Sequence, residues 1–200
     1  MKVGMIFECG PKGADKKVCT QLVSMIDPEI EIVSMTLDNN AKLVAGCGQA
    51  AAKLLREGCE RVVIIWDLYP AWREKGQKPC LKEDREAIFR SLEQAGVTSP
   101  PVHLVCIQEE LEAWLLADGR AISAVLSTPS RRVSIKHRKN TERLSNPKKQ
   151  LDRIFREHAR RPYSDRYHAH KIVEALPDLK KIQKCASFKR FAIKVTGKEA

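Results

Sequence analysis

No apolar run in this chain exceeds the length of Val62 to Trp66, far short of the roughly 20 residues that a membrane-spanning helix needs. Met1 to Glu8 also lack the longer apolar stretch and small-residue cleavage site of a secretory signal. A cytoplasmic protein is the expectation. No CxxC pair occurs among the seven cysteines, an odd number with several inside predicted strands and helices. That usage fits a reducing compartment better than a disulfide framework. His168-Ala169-His170 does not restore a zinc site, because helix positions two apart point in nearly opposite directions. The glycine loop Gly10-Pro11-Lys12-Gly13 lacks the GK[ST] ending of a nucleotide-binding P-loop. What remains is a 200-residue chain with 43% hydrophobic residues, enough to bury the core of one compact domain with a smaller helical addition.

Acidic residues are scarce in one part only. Residues 1–118 hold 14 Lys and Arg against 18 Asp and Glu, a balance of −4, whereas residues 119–200 hold 22 against 7, a balance of +15. The net charge of +11 therefore lies wholly in the last two fifths. An acidic half joined to a basic half suggests a polyanion gripped by one and acted on by the other, with nucleic acid, DNA before RNA, as the usual candidate. The alternative is a basic surface that aids solubility or faces an acidic protein. The candidate phosphate contacts are Lys12, Arg131, Arg132, Lys136, Arg138, Lys139, Lys148, Arg166, His168, Lys171, Lys189 and Arg190.

The first 126 residues alternate strand and helix signals. Strands are expected at Lys2–Glu8, Ile30–Met35, Arg61–Asp67 and Val102–Ile107, and helices at about Ala14–Ile26, Asn40–Glu57 and Leu81–Gln94. Asp27-Pro28 breaks the first helix; Gly46 and Gly48 mark either a loop before the second or a place of close packing. Leu68 to Pro79 reads as a loop, and Pro100-Pro101 introduces the fourth strand. The result is an α/β fold with a mostly parallel sheet flanked by helices, spanning 1–126. A flexible basic loop over 127–146 and a helical subdomain over 147–200, packed on the first, complete the chain. Helices there are expected from Pro147 to about Arg160, over Asp165–Ala175, and briefly after Pro177. Phe188 and Phe191 beside Lys189 and Arg190 either clamp a nucleic-acid strand or anchor the core, the commoner use of two Phe three apart.

Three of the four strands end in or beside carboxylates: Glu8, Asp67, and the pair Glu109 and Glu112. Right-handed crossovers put the carboxyl ends of parallel strands on one edge, so these acids are expected to converge. Glu109 and Glu112, three apart, should share one helical face, with Leu111, Trp114 and Leu115 on the other. Oxygen donors without organised His or Cys suit Mg²⁺ or Mn²⁺. Such ions serve phosphodiester cleavage by neutralising phosphate charge and acidifying bound water. Singly, each acid would more often be a helix cap.

Glu8 and Gly10, the apolar strand ending at Asp67, Glu112-Ala113-Trp114-Leu115-Leu116-Ala117-Asp118, Asn146-Pro147-Lys148, Tyr163 with His168-Ala169, and Ser187-Phe188 with Phe191 together resemble a Toprim-like family of unknown function. The resemblance covers nearly the whole chain, and the 112–118 string is its most specific motif. Members are similar to Toprim nucleases of the overcoming-lysogenization-defect type, and often lie beside ATPase genes in bacterial anti-phage loci. The resemblance implies a Toprim-like sheet and a Mg²⁺-dependent nuclease, with Glu8 as general acid or base and Asp67 as metal ligand. It also implies an ATPase partner; apart from the resemblance, a homo-oligomer is the other association expected. Two departures stand out. Relatives continue the first motif as Glu-Gly-x-Thr-Glu, whereas Asp15 is here a shifted stand-in for the second acid, and the usual Asp-x-Asp is Asp67-Leu68-Tyr69. Glu8, Asp67 and Glu112 are thus the expected catalytic residues. Glu109 or Glu112 would supply the ligand of the missing aspartate, so Glu8, Asp67, Glu109 and Glu112 are the expected metal ligands. A degenerate subunit that binds nucleic acid or a partner without cutting is the alternative.

Overall fold

The computed structural model describes residues 1–68, 80–97 and 101–198. Four strands, β1 (Lys2–Phe7), β2 (Glu31–Thr36), β3 (Arg61–Asp67) and β4 (Val102–Ile107), form one parallel sheet in the order β2-β1-β3-β4. The α/β class and the parallel sheet flanked by helices are as the alternation of signals predicts. Beyond Leu68, the loop expected to Pro79 lies outside the described residues, as does Pro100.

The near-continuous apolar strands are explained by two cores, one on each face of the sheet. Ile6, Val62, Ile64 and Cys106 face α2 (Asn40–Arg56) and α3 (Leu81–Gln94), whereas Met5, Phe7, Val63, Ile65, Val105 and Ile107 face the other side. On that second face lie α1 (Ala14–Ile26), the short α4 (Glu112–Leu115), α5 (Gly119–Leu126), α6 (Pro147–Ala159), α7 (Asp165–Glu174) and α8 (Ala186–Thr196). The C-terminal helices thus share one core with the sheet: Phe155, Ile172, Phe188 and Phe191 are buried in the same cluster as Val3 and Val63.

Local chemistry sets the element ends. Asn39 caps α2 by accepting the Lys42 N–H at 2.9 Å, and Pro147 opens α6 at its first turn. Gly46 and Gly48 both lie inside α2 and not in a loop before it, and close packing accounts for Gly48. A Cβ on Gly48 would stand 2.0 Å from the Ser91 backbone oxygen of α3.

The opening of the 107–126 stretch departs from expectation. Glu109 has a left-handed backbone, φ 67°, and α4 begins only at Glu112, so the two acids share no helical face. α5 is a separate helix that starts at Gly119 and is capped by Asp118. The third C-terminal helix also differs, with a short 3-10 turn at Ile182–Lys184 before α8. Phe188 and Phe191 are fully buried there, with Trp114 ring centroids 5.3 and 5.5 Å away, so the aromatic pair anchors the core.

The basic 127–146 segment is irregular apart from a Thr128–Arg131 bridge and a 3-10 turn at Thr141–Arg143. It is tied to α5 by side chains. Ser127 Oγ accepts the Val133 N–H at 3.0 Å, and Ser123 Oγ accepts the Ile135 N–H at 2.8 Å. Gly119 permits this crossing, since a Cβ there would meet the Ile135 oxygen at 2.2 Å.

Candidate active site

The sheet order places β1 between β2 and β3. The connection leaves β1 towards β2 on one side and reaches β3 on the other, so a crevice opens at the carboxyl ends of β1 and β3. Glu8 follows β1 and Asp67 ends β3, one on each side of this switch point.

Asp67 defines the electrostatics. Burial pushes its carboxyl well above the usual range, and the charges of Asp15, Glu8, Glu112 and Glu110, in that order, push it further. Its Oδ1 is buried without a hydrogen-bond partner among the described residues. An ionised carboxylate so placed carries a penalty of several kcal/mol unless a proton or cation neutralises it. Asp15, in the first turn of α1, is likewise raised by burial and by Asp165. Gly13 is required for the turn that delivers it: a Cβ there would stand 2.4 Å from the Cys9 sulfur. The Cys9 thiol is pushed up to about 12 by burial and by Asp15, and is no nucleophile.

Glu112 is brought in by α4. Burial pushes it up to about 7, against the opposing charge of Lys148. α4 is held in place from the C-terminal side, where Trp114 Nε1 donates to Ser187 Oγ at 2.7 Å. Tyr163 lies beside Glu112; burial and then that carboxyl raise its phenol well above the ordinary value, and its hydroxyl has no well-formed hydrogen bond among the described residues. Lys148 pairs with Asp165, and its backbone N–H donates to Glu110 Oε2 at 3.0 Å, so Glu110 sits at the positive end of α6. Burial would lower the Lys148 ammonium, but Asp165 and Glu112 outweigh it and raise it.

Glu8, Asp67 and Glu112 are thus brought to one edge, as the strand ends predict. Glu109 stands apart; beyond its own burial, it feels chiefly Glu110. Sequence reasoning did not assign Glu110, Tyr163 or Asp165 to the site, and took Asp15 only as a stand-in. The signal for Tyr163 and for Lys148 was their presence in motifs far along the chain, but no spacing rule joins those motifs to β1 and β3.

The donor set consists of carboxylate oxygens, the chemistry of Mg²⁺ or Mn²⁺. Among the described residues no three His, Cys, Asp or Glu side chains stand ready around one ion. Mg²⁺ usually keeps several waters and takes one or two carboxylates plus substrate phosphates, and the buried Asp67 oxygen fits that manner of binding.

The remaining candidates separate by burial. Lys12, Arg131, Arg132, Lys136, Lys139, Arg166, Lys171, Lys189 and Arg190 are exposed, and Arg138 is half-buried, donating to Gln150 Oε1 at 3.4 Å. Lys148 belongs to the acidic cluster. His168 is committed to the fold: its Nδ1 accepts the Ser164 N–H at 2.9 Å, and its ring centroid is 4.6 Å from that of Phe155.

Fold and site together define a class: an α/β protein with a parallel sheet and a carboxylate-lined crevice at its switch point. Within that class, the chain belongs to the family described as a domain of unknown function (DUF4276), whose model matches residues 16–195. Neither a curated protein nor a solved structure matches it. Among the described residues no helix is long and apolar enough to cross a membrane.

Proposed function

We propose that this chain is a metal-dependent nuclease of Toprim type, hydrolysing phosphodiesters of DNA in preference to RNA, and that it works with an ATPase in bacterial anti-phage defence. The observation that carries the chemistry is the gathering of Glu8, Asp15, Glu110 and Glu112 around the buried, unpartnered Asp67 oxygen at the switch point. The defence setting rests on the resemblance alone.

Asp67 and Asp15 would hold Mg²⁺ or Mn²⁺. When bound, the ion would neutralise phosphate charge and lower the pKa of a water. Glu8 takes a proton from the water whose oxygen attacks phosphorus. Glu112, held near neutrality by burial, gives one to the departing oxygen as the phosphorus–oxygen bond breaks. Lys148 offsets charge gathering on the phosphate, and the buried Tyr163 ring shields the Glu112 carboxyl from water.

Purified protein should nick plasmid in Mg²⁺ or Mn²⁺ and not in EDTA. Asp67→Asn and Glu112→Gln should each reduce nicking by about 10²-fold or more. Undiminished nicking by both variants would trace the activity to a contaminant. The string Asp67-Leu68-Tyr69 in place of Asp-x-Asp favours a second reading, a subunit that binds without cutting. It is the correct one if the wild-type chain binds DNA in the same buffer yet leaves every plasmid intact.

A further inference from the structure

A second concave site lies beside the acidic crevice and contains no catalytic carboxylate. It is a cavity of about 440 Å³ bounded by Gln108 and Ala117 on one side and by residues 138–143 and 181–186 on the others. Ligand pockets generally fall at about 300–1,000 Å³. Five cationic side chains line it, Arg138, Lys139, Arg143, Lys181 and Lys184, with one carboxylate, Glu142.

That carboxylate is already engaged. Glu142 accepts the Ala186 N–H at 2.5 Å and the Ser187 N–H at 2.9 Å, and also the Ser187 hydroxyl, so it caps α8. The five cations form no ion pair among the described residues. A concavity with five like charges and one occupied anion is self-repelling, and it is relieved by an anion of several charges.

The cavity and the crevice share a wall. Gln108 borders the cavity, Glu110 and Glu112 face the crevice, and Gln108 to Ala117 run between the two. Glu142, Ser187 and Trp114 form a hydrogen-bonded chain from the cavity's edge to α4, which carries Glu112.

We infer that this cavity is a phosphate-binding site that holds a nucleic-acid strand beside the crevice, with Arg143, Lys181 and Lys184 contacting the strand's phosphates. The inference rests on the nucleic-acid part of the function proposed above and not on cleavage. Phosphate is favoured over an acidic protein segment because the five cationic residues line one concave volume instead of spreading over a flat face.

The test is equilibrium binding of a fluorescent single-stranded oligonucleotide in EDTA, where no cleavage intervenes, across a salt series. Lys181→Gln with Lys184→Gln should weaken binding roughly tenfold and flatten the plot of log K against log salt by about 1.4. Lys42→Gln with Lys53→Gln on α2 removes the same charge on the opposite face of the sheet and should change neither quantity appreciably. Inorganic polyphosphate should compete, and polyglutamate of equal charge should compete far less. Equal effects of the two double variants would reduce the cavity to general surface charge. Equal competition by polyglutamate would make it a protein-docking site, and wild-type protein that binds no strand at low salt would also overturn the inference. Loss of nicking in Asp67→Asn bears on none of these readings, so the two proposals fall separately.

Discussion

Two glycines in one helix show how a single methyl group changes sign with its surroundings. Gly48 in α2 meets the backbone of α3: a Cβ would lie 2.0 Å from the Ser91 oxygen and 2.9 Å from the Ala95 Cβ. Backbone cannot rotate away, so Gly48→Ala should force the helices apart and cost about 1–3 kcal/mol. Gly46, half-buried two residues earlier, would place its Cβ 3.7 Å from the tip of Leu37. There the gain in helix propensity prevails, and Gly46→Ala should stabilise by about 0.5–1 kcal/mol. Urea midpoints of the two variants should move in opposite directions at unchanged slope. A shared direction would mean that α2 and α3 do not approach as closely as described. The sequence flagged both glycines, but nothing local distinguishes them, because what opposes Gly48 is a residue 43 positions away.

The junction of α4 and α5 is governed by Asp118. Its carboxyl is fully buried, caps α5 through the Arg120 N–H at 2.9 Å, and accepts the Arg120 guanidinium at 2.6 Å. Arg120 reaches on to Asp178 at 3.3 Å and so ties α5 to the chain before α8. Burial pushes the Asp118 carboxyl up, but the Arg120 bonds and charge, then His137, outweigh it and hold it below the usual range. A carboxyl lowered in the folded state stabilises the fold above its unfolded pKa, about 3.9. That contribution is lost as pH falls through the lower folded value. Asp118→Asn should therefore be less stable than wild type at neutral pH, and the gap should close on acidification below about pH 4. Thermal melts of both proteins from pH 7 to pH 2 check this; a gap that persists at pH 2 would assign the loss to packing instead of charge. That Leu111, Trp114 and Leu115 share an inward face was legible in the sequence. The start of α4 was not: the left-handed backbone of Glu109 breaks the helical spacing that pairs it with Glu112. Glu110 instead faces the cluster from the positive end of α6, a partner 38 positions away that no periodicity announces.

The strands and most helices were legible because apolar runs, prolines and caps act locally, and the gathering of Glu8 and Asp67 followed because parallel crossovers leave little choice of edge. The other half of the site was not, since Lys148, Tyr163 and Asp165 reach it only after the C-terminal helices have packed on the sheet. That packing has a thermodynamic consequence. Trp114 of α4 is enclosed by Phe188 and Phe191 of α8, and Leu22 and Val23 of α1 share their core with Ile172 and Val173 of α7. Removing residues 127–200 would strip α6, α7 and α8 from this core and leave the apolar sides of α1, α4 and α5 that pack on them facing water. The full chain should therefore unfold in urea as one cooperative unit, with tryptophan fluorescence and far-ultraviolet circular dichroism giving coincident midpoints. A fragment of residues 1–126 should show no cooperative transition of its own. Two separated transitions in the full chain, or a fragment that melts cooperatively, would mean that the basic helices dock on a finished sheet domain. In that case the half of the site built by Lys148, Tyr163 and Asp165 would assemble in a separate step.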